Sequence, residues 1–293
     1  MPYKKYFITY GDHEYFIHRK RLSLQAKRFN YFDKVIDYKK SDISKNFKIK
    51  YKELFKYKKG GGFWIWKYYI ILRTLETMKD GDIVMYLDSG STLNNRGKKR
   101  LQEYFELLNS SSHTLLMFEV QNLIERDWAV KEVLNYFNYS SNSIEATSPG
   151  IMATSFFIKK TPTSQLFFEE ILKIASHDYN FFTDFYSTQP QEEYFNAHRH
   201  DQTILSLMAK KHGYLSLPDE TQYFQDSSNQ YTFPILTIRD SKYTLWQKVK
   251  FFSFYFLNIR KTIYFGEEQP YFKRTPLLIK FQRKVRNKFN QNT

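Results

Sequence analysis

The chain has 293 residues, a formal net charge of +15, an aromatic share of 19% and no cysteine. That length suits one large domain or two small ones, and the apolar share is enough for a core. The absence of cysteine excludes a disulfide scaffold, thiolate metal sites and cysteine nucleophiles, and it fits a reducing compartment.

The charge is uneven. Residues 1–60 hold 17 Lys/Arg against 6 Asp/Glu, residues 61–241 hold 16 against 22, and residues 242–293 hold 12 against 2. Basic ends around a mildly acidic middle suggest a polyanionic partner or surface for the ends. The opening MPYKKYFITYGD has no apolar stretch of signal-peptide length, and no window approaches a membrane span. The expectation is a soluble or surface-bound chain.

In chain order, KKYFITY (4–10) reads as a first strand, followed by Gly11-Asp12. Residues 19–30 read as a basic helix or loop and 31–38 as a second strand. A Lys-rich stretch of weak periodicity runs from Lys39 to Lys59 and ends in Gly60-Gly61-Gly62. Residues 64–79 form the clearest helix, with Tyr68, Ile71, Leu72, Leu75 and Met78 on one stripe. Asp80-Gly81-Asp82 stops it, and the strand IVMYLD follows at once. A helix, a tight turn and an apolar strand are the signature of an α/β unit. The alternation continues with helix 97–108, strand 114–120, helix 125–138, strand 154–159, helix 161–177 opened by Pro162, and helix 199–212 stopped by Gly213. The simplest division is an α/β domain over 1–241 and a basic, aromatic, helical extension over 242–293.

Three places concentrate chemistry. The strand-end run VMYLDSGST delivers Asp88 to the rim of the sheet, and open α/β sheets bind ligands beyond the carboxyl ends of their strands. A hard carboxylate there suits Mg²⁺ or Mn²⁺, or a sugar hydroxyl. The GGGFW run matches neither a Walker loop nor a dinucleotide fingerprint. It reads as a flexible entry to the helix, or as a close backbone approach to an anion at a helix N-terminus with Lys67 in the first turn. HRHDQ (198–202) packs two His, an Arg, an Asp and a Gln against the start of an apolar helix. It reads either as a capping cluster or as a catalytic one.

TYGD (9–12), GGGFWIWKYYII (60–71), GDIVMYLDSGSTLN (81–94) and HRHDQTILSLMAKKHG (198–213) recur in an order that resembles bacterial and viral glycosyltransferases of the GT-A fold. These enzymes build lipopolysaccharide or capsular glycans. The resemblance spans roughly residues 5–215. It implies a Rossmann-like mixed sheet flanked by helices, and a nucleotide-sugar donor, UDP-linked, bound across the first half of the sheet. It places Thr9, Tyr10 and Gly11 around the nucleobase and ribose. Lys67, Asp88, Ser89, Gly90, Arg199 and Gln202 fall at the donor, and His200 and Asp201 at the reacting centre. Asp201 is then the carboxylate base of an inverting enzyme, with Glu119 as second choice, or the group that steadies the sugar in a retaining one. The family's strand-end motif carries two acids. Here only Asp88 matches and Gly90 stands where the second is expected, so a divalent cation (Mn²⁺ or Mg²⁺) held by Asp88 is left open.

The resemblance further implies a glycan or lipid-linked acceptor. The extension over 242–293 interleaves Phe, Tyr, Leu and Ile with Lys and Arg, a pattern suited to an anionic membrane surface or to packing on the domain. The expected location is cytoplasmic, peripheral on the inner membrane face, with no nucleic-acid partner. Two other readings stand beside this one. Gly90 favours an inactive GT-A-like binding module. The charge and aromatic content suggest a basic nucleic-acid-binding protein, against which the acidic α/β middle argues.

Overall fold

The computed structural model of the protein describes residues 3–184, 190–221 and 233–237. In chain order it contains β1 (Lys5–Tyr10), α1 (Phe16–Arg28), β2 (Lys34–Tyr38), α2 (Lys45–Lys50), α3 (Lys52–Phe55), a left-handed turn α4 (Gly60–Phe63), α5 (Trp66–Leu75) and β3 (Ile83–Leu87). There follow β4 (Thr92–Leu93), α6 (Lys98–Ser110), β5 (Leu115–Ile124), α7 (Lys131–Tyr136), α8 (Ile144–Thr147), β6 (Pro149–Lys159) and α9 (Pro162–His177). The last described elements are α10 (Asp201–His212), β7 (Leu215–Pro218) and β8 (Ile235–Leu236).

The main sheet has the order β2-β1-β3-β6-β5-β7. β1 runs parallel to β2 and β3, and β5 parallel to β7, while β6 is antiparallel to both its neighbours. Helices cover both faces, so the central strands are largely apolar; every residue of β3 is buried. Alternation then sorts each strand between two cores. Tyr6, Ile8, Tyr86 and Phe156 face α5, α9 and α10. Phe7, Met85 and Phe157 face α1 and α6. The mixed α/β sheet expected from the sequence is therefore observed.

Local signals explain most boundaries. The stripe of α5 is buried at Tyr68, Ile71 and Leu75. α9 opens on a capping box in which Thr161 and Ser164 bond reciprocally, with Pro162 in the first turn. α10 stops at Gly213, whose φ is +82°.

Three expectations are corrected. The helix expected over 125–138 is a 3₁₀ turn at Glu125–Asp127 followed by the shorter α7. Glu125 is buried and held by Ser206 and Lys210 of α10, which turns the chain away from a continuous helix. β5 and β6 each run longer than expected, because they pair with each other as far as Ile124 and Pro149. The Lys-rich stretch forms α2 and α3, since Phe47, Tyr51 and Leu54, at i, i+4 and i+7, plug into the core beside α5. The extension expected over 242–293 and its boundary lie outside the described residues.

Phe157 joins the sheet to α6, with its ring 5.6 Å from Tyr104 and 5.2 Å from Phe105. Phe157→Ala is expected to cost about 3–5 kcal/mol, read as a lowered urea midpoint with an unchanged slope.

Candidate active site

Strand direction decides where the motifs meet. β1, β2 and β3 are parallel, so Tyr10, Tyr38 and Leu87 end at one edge of the sheet. α5 precedes β3 across a tight turn and runs back against it, which brings Trp66 and Lys67 to that same edge. α10 likewise precedes β7, which is parallel to β5, and its first residue, Asp201, arrives there too.

The centre of the cluster is an ion pair. Lys67 Nζ lies 2.6 Å from Asp201 Oδ2 and donates to Ala153 O of β6 at 3.0 Å. Lys67 is 2% and Asp201 5% exposed. Tyr68 Oη donates to Asp201 O at 2.9 Å, so α5 grips the start of α10 by two bonds. Beside the pair, Tyr86 Oη donates to Asp88 Oδ1 at 2.5 Å, and Lys67 Nζ stands 5.3 Å from the centre of the Tyr86 ring. Burial disfavours the charge on Lys67, yet the Asp201 and Asp88 carboxylates outweigh it and hold the ammonium above its ordinary pKa. Burial first, and then Asp88, push Tyr86 far up, so it stays a hydroxyl donor.

Lys67, expected at the donor, is a buried cation bonded to Asp201. Asp201 opens α10 without capping it; the residue before it, His200, supplies no side-chain cap either. The second-choice base, Glu119, accepts from Tyr214 Oη at 2.7 Å and is not part of this cluster.

The glycine run also differs from expectation. The amides of Gly61, Gly62, Phe63, Trp64, Ile65 and Lys67 all bond to carbonyls within the turn. It is therefore not an anion cradle. Its φ angles are positive from Gly60 through Trp64. A Cβ at Gly60 would meet the Trp64 ring at 2.5 Å, so glycine is required there. The turn packs its aromatics onto the site: Trp66 stacks on Tyr10 at 3.8 Å, and Phe63 stacks on His200 at 5.3 Å.

His200 has φ 52° and ψ −122°, a region nearly reserved for glycine. Phe63 and Trp64 are also at positive φ, and both rings touch His200. Backbone strain thus gathers where the motifs meet. His200 Nε2 bonds Asp184 Oδ1 at 2.8 Å, and Asp184 in turn pairs with Lys59 at 2.8 Å. Burial lowers the His200 pKa, and its bond to Asp184 opposes that shift. Arg199 lies with its guanidinium 4.1 Å from the Trp128 ring centre, and the Gln202 amide bonds Arg199 O.

Thr9 is fully buried, and its Oγ1 has no hydrogen-bond partner among the described residues. Thr9 and Tyr10 therefore form the wall behind the strand ends. Gly11 donates to Tyr38 O, and Arg19 of α1 donates to Gly11 O at 3.0 Å. Ser89 is buried, and Arg21 donates to Ser91 O at 2.7 Å and to Thr92 Oγ1 at 2.5 Å. Tyr86, Arg19, Arg21 and Asp184 were missed by sequence reasoning. Tyr86 alone had a signal: two residues before Asp88 on a strand, it shares that residue's face.

Among the described residues no three His, Asp or Glu side chains gather as metal ligands. Gly90 is not at positive φ, and a Cβ there would meet nothing within 4 Å. A second acid would fit and is absent. The described residues do not by themselves build a divalent-cation site, and no step is assigned to a metal.

No family model and no curated protein matches the chain. Among solved structures it is similar to a glycosyltransferase involved in glycosylation of the major capsid of PBCV-1, at TM-score 0.46 and 8% identity over 82% of this chain and 96% of that one. It is also similar to the glycosyltransferase GlyE of Streptococcus pneumoniae, at 0.45 and 14% over 92% and 66%. A third is the galactosyltransferase LgtC in complex with donor and acceptor sugar analogues, at 0.42 and 12% over 79% and 86%.

Two measurements check this site. Lys67→Met leaves Asp201 buried without its partner and is expected to cost about 3–5 kcal/mol; adding Asp201→Leu should recover most of that. His198 is buried, with its Nε2 donating to Phe181 O, and burial first, then the neighbouring His200, push its pKa down to about 4. Between its ordinary 6.5 and about 4 the unfolded chain takes up a proton that the folded chain refuses. Stability from this group is full above pH 6.5 and falls as pH drops toward 4, by up to about 3 kcal/mol. In urea titrations from pH 7 to 5, His198→Gln should flatten that acid limb.

Proposed function

We propose that the chain is a glycosyltransferase that moves a sugar from a UDP-linked donor to a glycan or lipid-linked acceptor in surface polysaccharide synthesis. The observation that carries the reading is the meeting of Lys67, Asp88 and Asp201. They come from three separate motifs of the ordered set, and they converge at the edge of the sheet where α/β folds bind ligands.

The parts suit the reaction. In glycosyl transfer the bond from the anomeric carbon to the diphosphate breaks, with its electron pair going to the departing oxygen. The acceptor oxygen bonds to that carbon, and its proton passes to the departing diphosphate oxygen. Positive charge builds on the sugar ring between these events, and a fixed carboxylate stabilises it. Asp201, held by Lys67 and by the Tyr68 bond to its carbonyl, is that carboxylate. Asp88, aimed by Tyr86, holds the donor. The loops after β1 and β3, tied down by Arg19 and Arg21, shape the nucleoside end. The extension over 242–293 is assigned to an anionic membrane surface on the cytoplasmic side.

Asp88→Asn and Asp201→Asn should each lower UDP release from UDP-sugars by about 10²-fold or more, with unchanged circular dichroism. The assay is run with Mn²⁺, with Mg²⁺ and with chelator. Wild-type protein that binds no nucleotide sugar in calorimetry defeats the reading. Binding without turnover in every donor and acceptor tried would instead support the inactive binding module that Gly90 favours.

A further inference from the structure

A second concentration of lysine lies in residues 39–59 of the described domain. Residues 39–59 hold nine Lys, two acids and no Arg. In α2, Phe47 points into the core, and Lys45 and Ile49, four residues apart, stand on the opposite side. In α3, Leu54 points inward, and Lys52 and Lys56 stand opposite. Lys45, Lys50, Lys52, Lys56 and Lys58 are all exposed. Acids within the segment offset little of this charge: Glu53 pairs with Lys56, and Asp42 bonds back to the Lys39 amide. Ile49, in the middle of the lysines, is 68% exposed.

We propose that this face docks on an anionic lipid bilayer, with Ile49 entering the headgroup boundary and the lysines lying against lipid phosphates. Three features favour lipid over nucleic acid. The cations are all lysine, which attracts as a point charge, and none is arginine, which reads phosphates and bases bidentately. The exposed apolar group is aliphatic, which suits an acyl boundary, and within residues 39–59 no ring is exposed for base stacking. Each lysine near an anionic surface adds a similar increment of attraction, so a cluster of five binds strongly at low salt and weakly at high salt. At its far end the face reaches the site: Lys59 pairs with Asp184, and Asp184 bonds His200. A bilayer docked here lies beside the strand ends. The docking rests on the exposed lysines and Ile49. Only its use, access to a lipid-borne acceptor, rests on the proposed function.

The test uses the full chain and vesicles of phosphatidylcholine with about one third phosphatidylglycerol, beside vesicles of phosphatidylcholine alone. Lys45→Glu, Lys50→Glu and Lys52→Glu combined should weaken sedimentation with the anionic vesicles by roughly tenfold or more. Ile49→Ser alone should weaken it by roughly threefold or more. Neither set should change the urea midpoint or UDP release. A chain lacking 243–293 should keep binding that the triple substitution then removes. The proposal is overturned if the triple variant binds anionic vesicles as wild type does, or if wild type binds neutral vesicles equally well. It is also overturned if the substitutions abolish binding to single-stranded RNA and leave vesicle binding intact.

Discussion

The Lys67–Asp201 ion pair is the interaction on which the rest of the site depends. It bonds α5 to α10 and, through Ala153 O, both helices to β6. Two charges this far from water are costly unless each is paired and its remaining hydrogen bonds are met. Here the ammonium also has a carbonyl, and Asp201 is gripped through its own carbonyl by Tyr68. The pair therefore sets the position of the α10 start, and with it His200 and Gln202, more sharply than apolar packing could. Such pairs are weak contributors to net stability; their effect is geometric.

Around this pair the strand ends are held by side chains instead of regular structure. Arg19 reaches the carbonyls after β1 and β2, at Gly11 and Tyr38, and Arg21 those after β3. An arginine carries several donors in one plane, so a single side chain on α1 can satisfy several loop carbonyls. Strained backbone gathers on the other side, at Phe63, Trp64 and His200, whose rings touch. Conformations of this kind persist only where surrounding contacts over-determine them. The glycine run, the aromatic turn and the HRHDQ segment are thus one packed unit, although more than 130 residues separate their ends in the chain.

The elements with strong periodicity were legible in the residues. The α5 stripe, the buried run of β3 and the Pro162 and Gly213 boundaries all fall where their local chemistry puts them. The region around Glu125 was not, because a tertiary bond overrides its helical pattern: Lys210 and Ser206, some 80 residues on, draw that carboxylate inward. α2 and α3 were hidden by their lysines. The Phe47, Tyr51, Leu54 stripe was present but diluted by charge on every other face. In the site, Asp88, Lys67 and Asp201 could be named from their motifs, yet the partner that aims Asp88, Tyr86, reads as one more core aromatic in sequence.

The sequence by itself determined the class of fold, the strands β1 to β3 with the helix α5, and the residue types that could do chemistry. These depend on side-chain period and on turn residues, which act over a few positions. Only the tertiary structure decided what those residues are to each other. Lys67 reads as a helix-start cation and is a buried partner of Asp201. The triple glycine reads either as a flexible helix entry or as an anion loop, and is a left-handed turn in which the Gly61 and Gly62 amides bond to carbonyls of the chain just before it. His200 reads as a group at the reacting centre and is a half-buried ring bonded to Asp184. Each outcome follows from burial and from distant contacts. Solvation and long-range pairing set the charge and direction of a side chain, and neither is written in its neighbours along the chain.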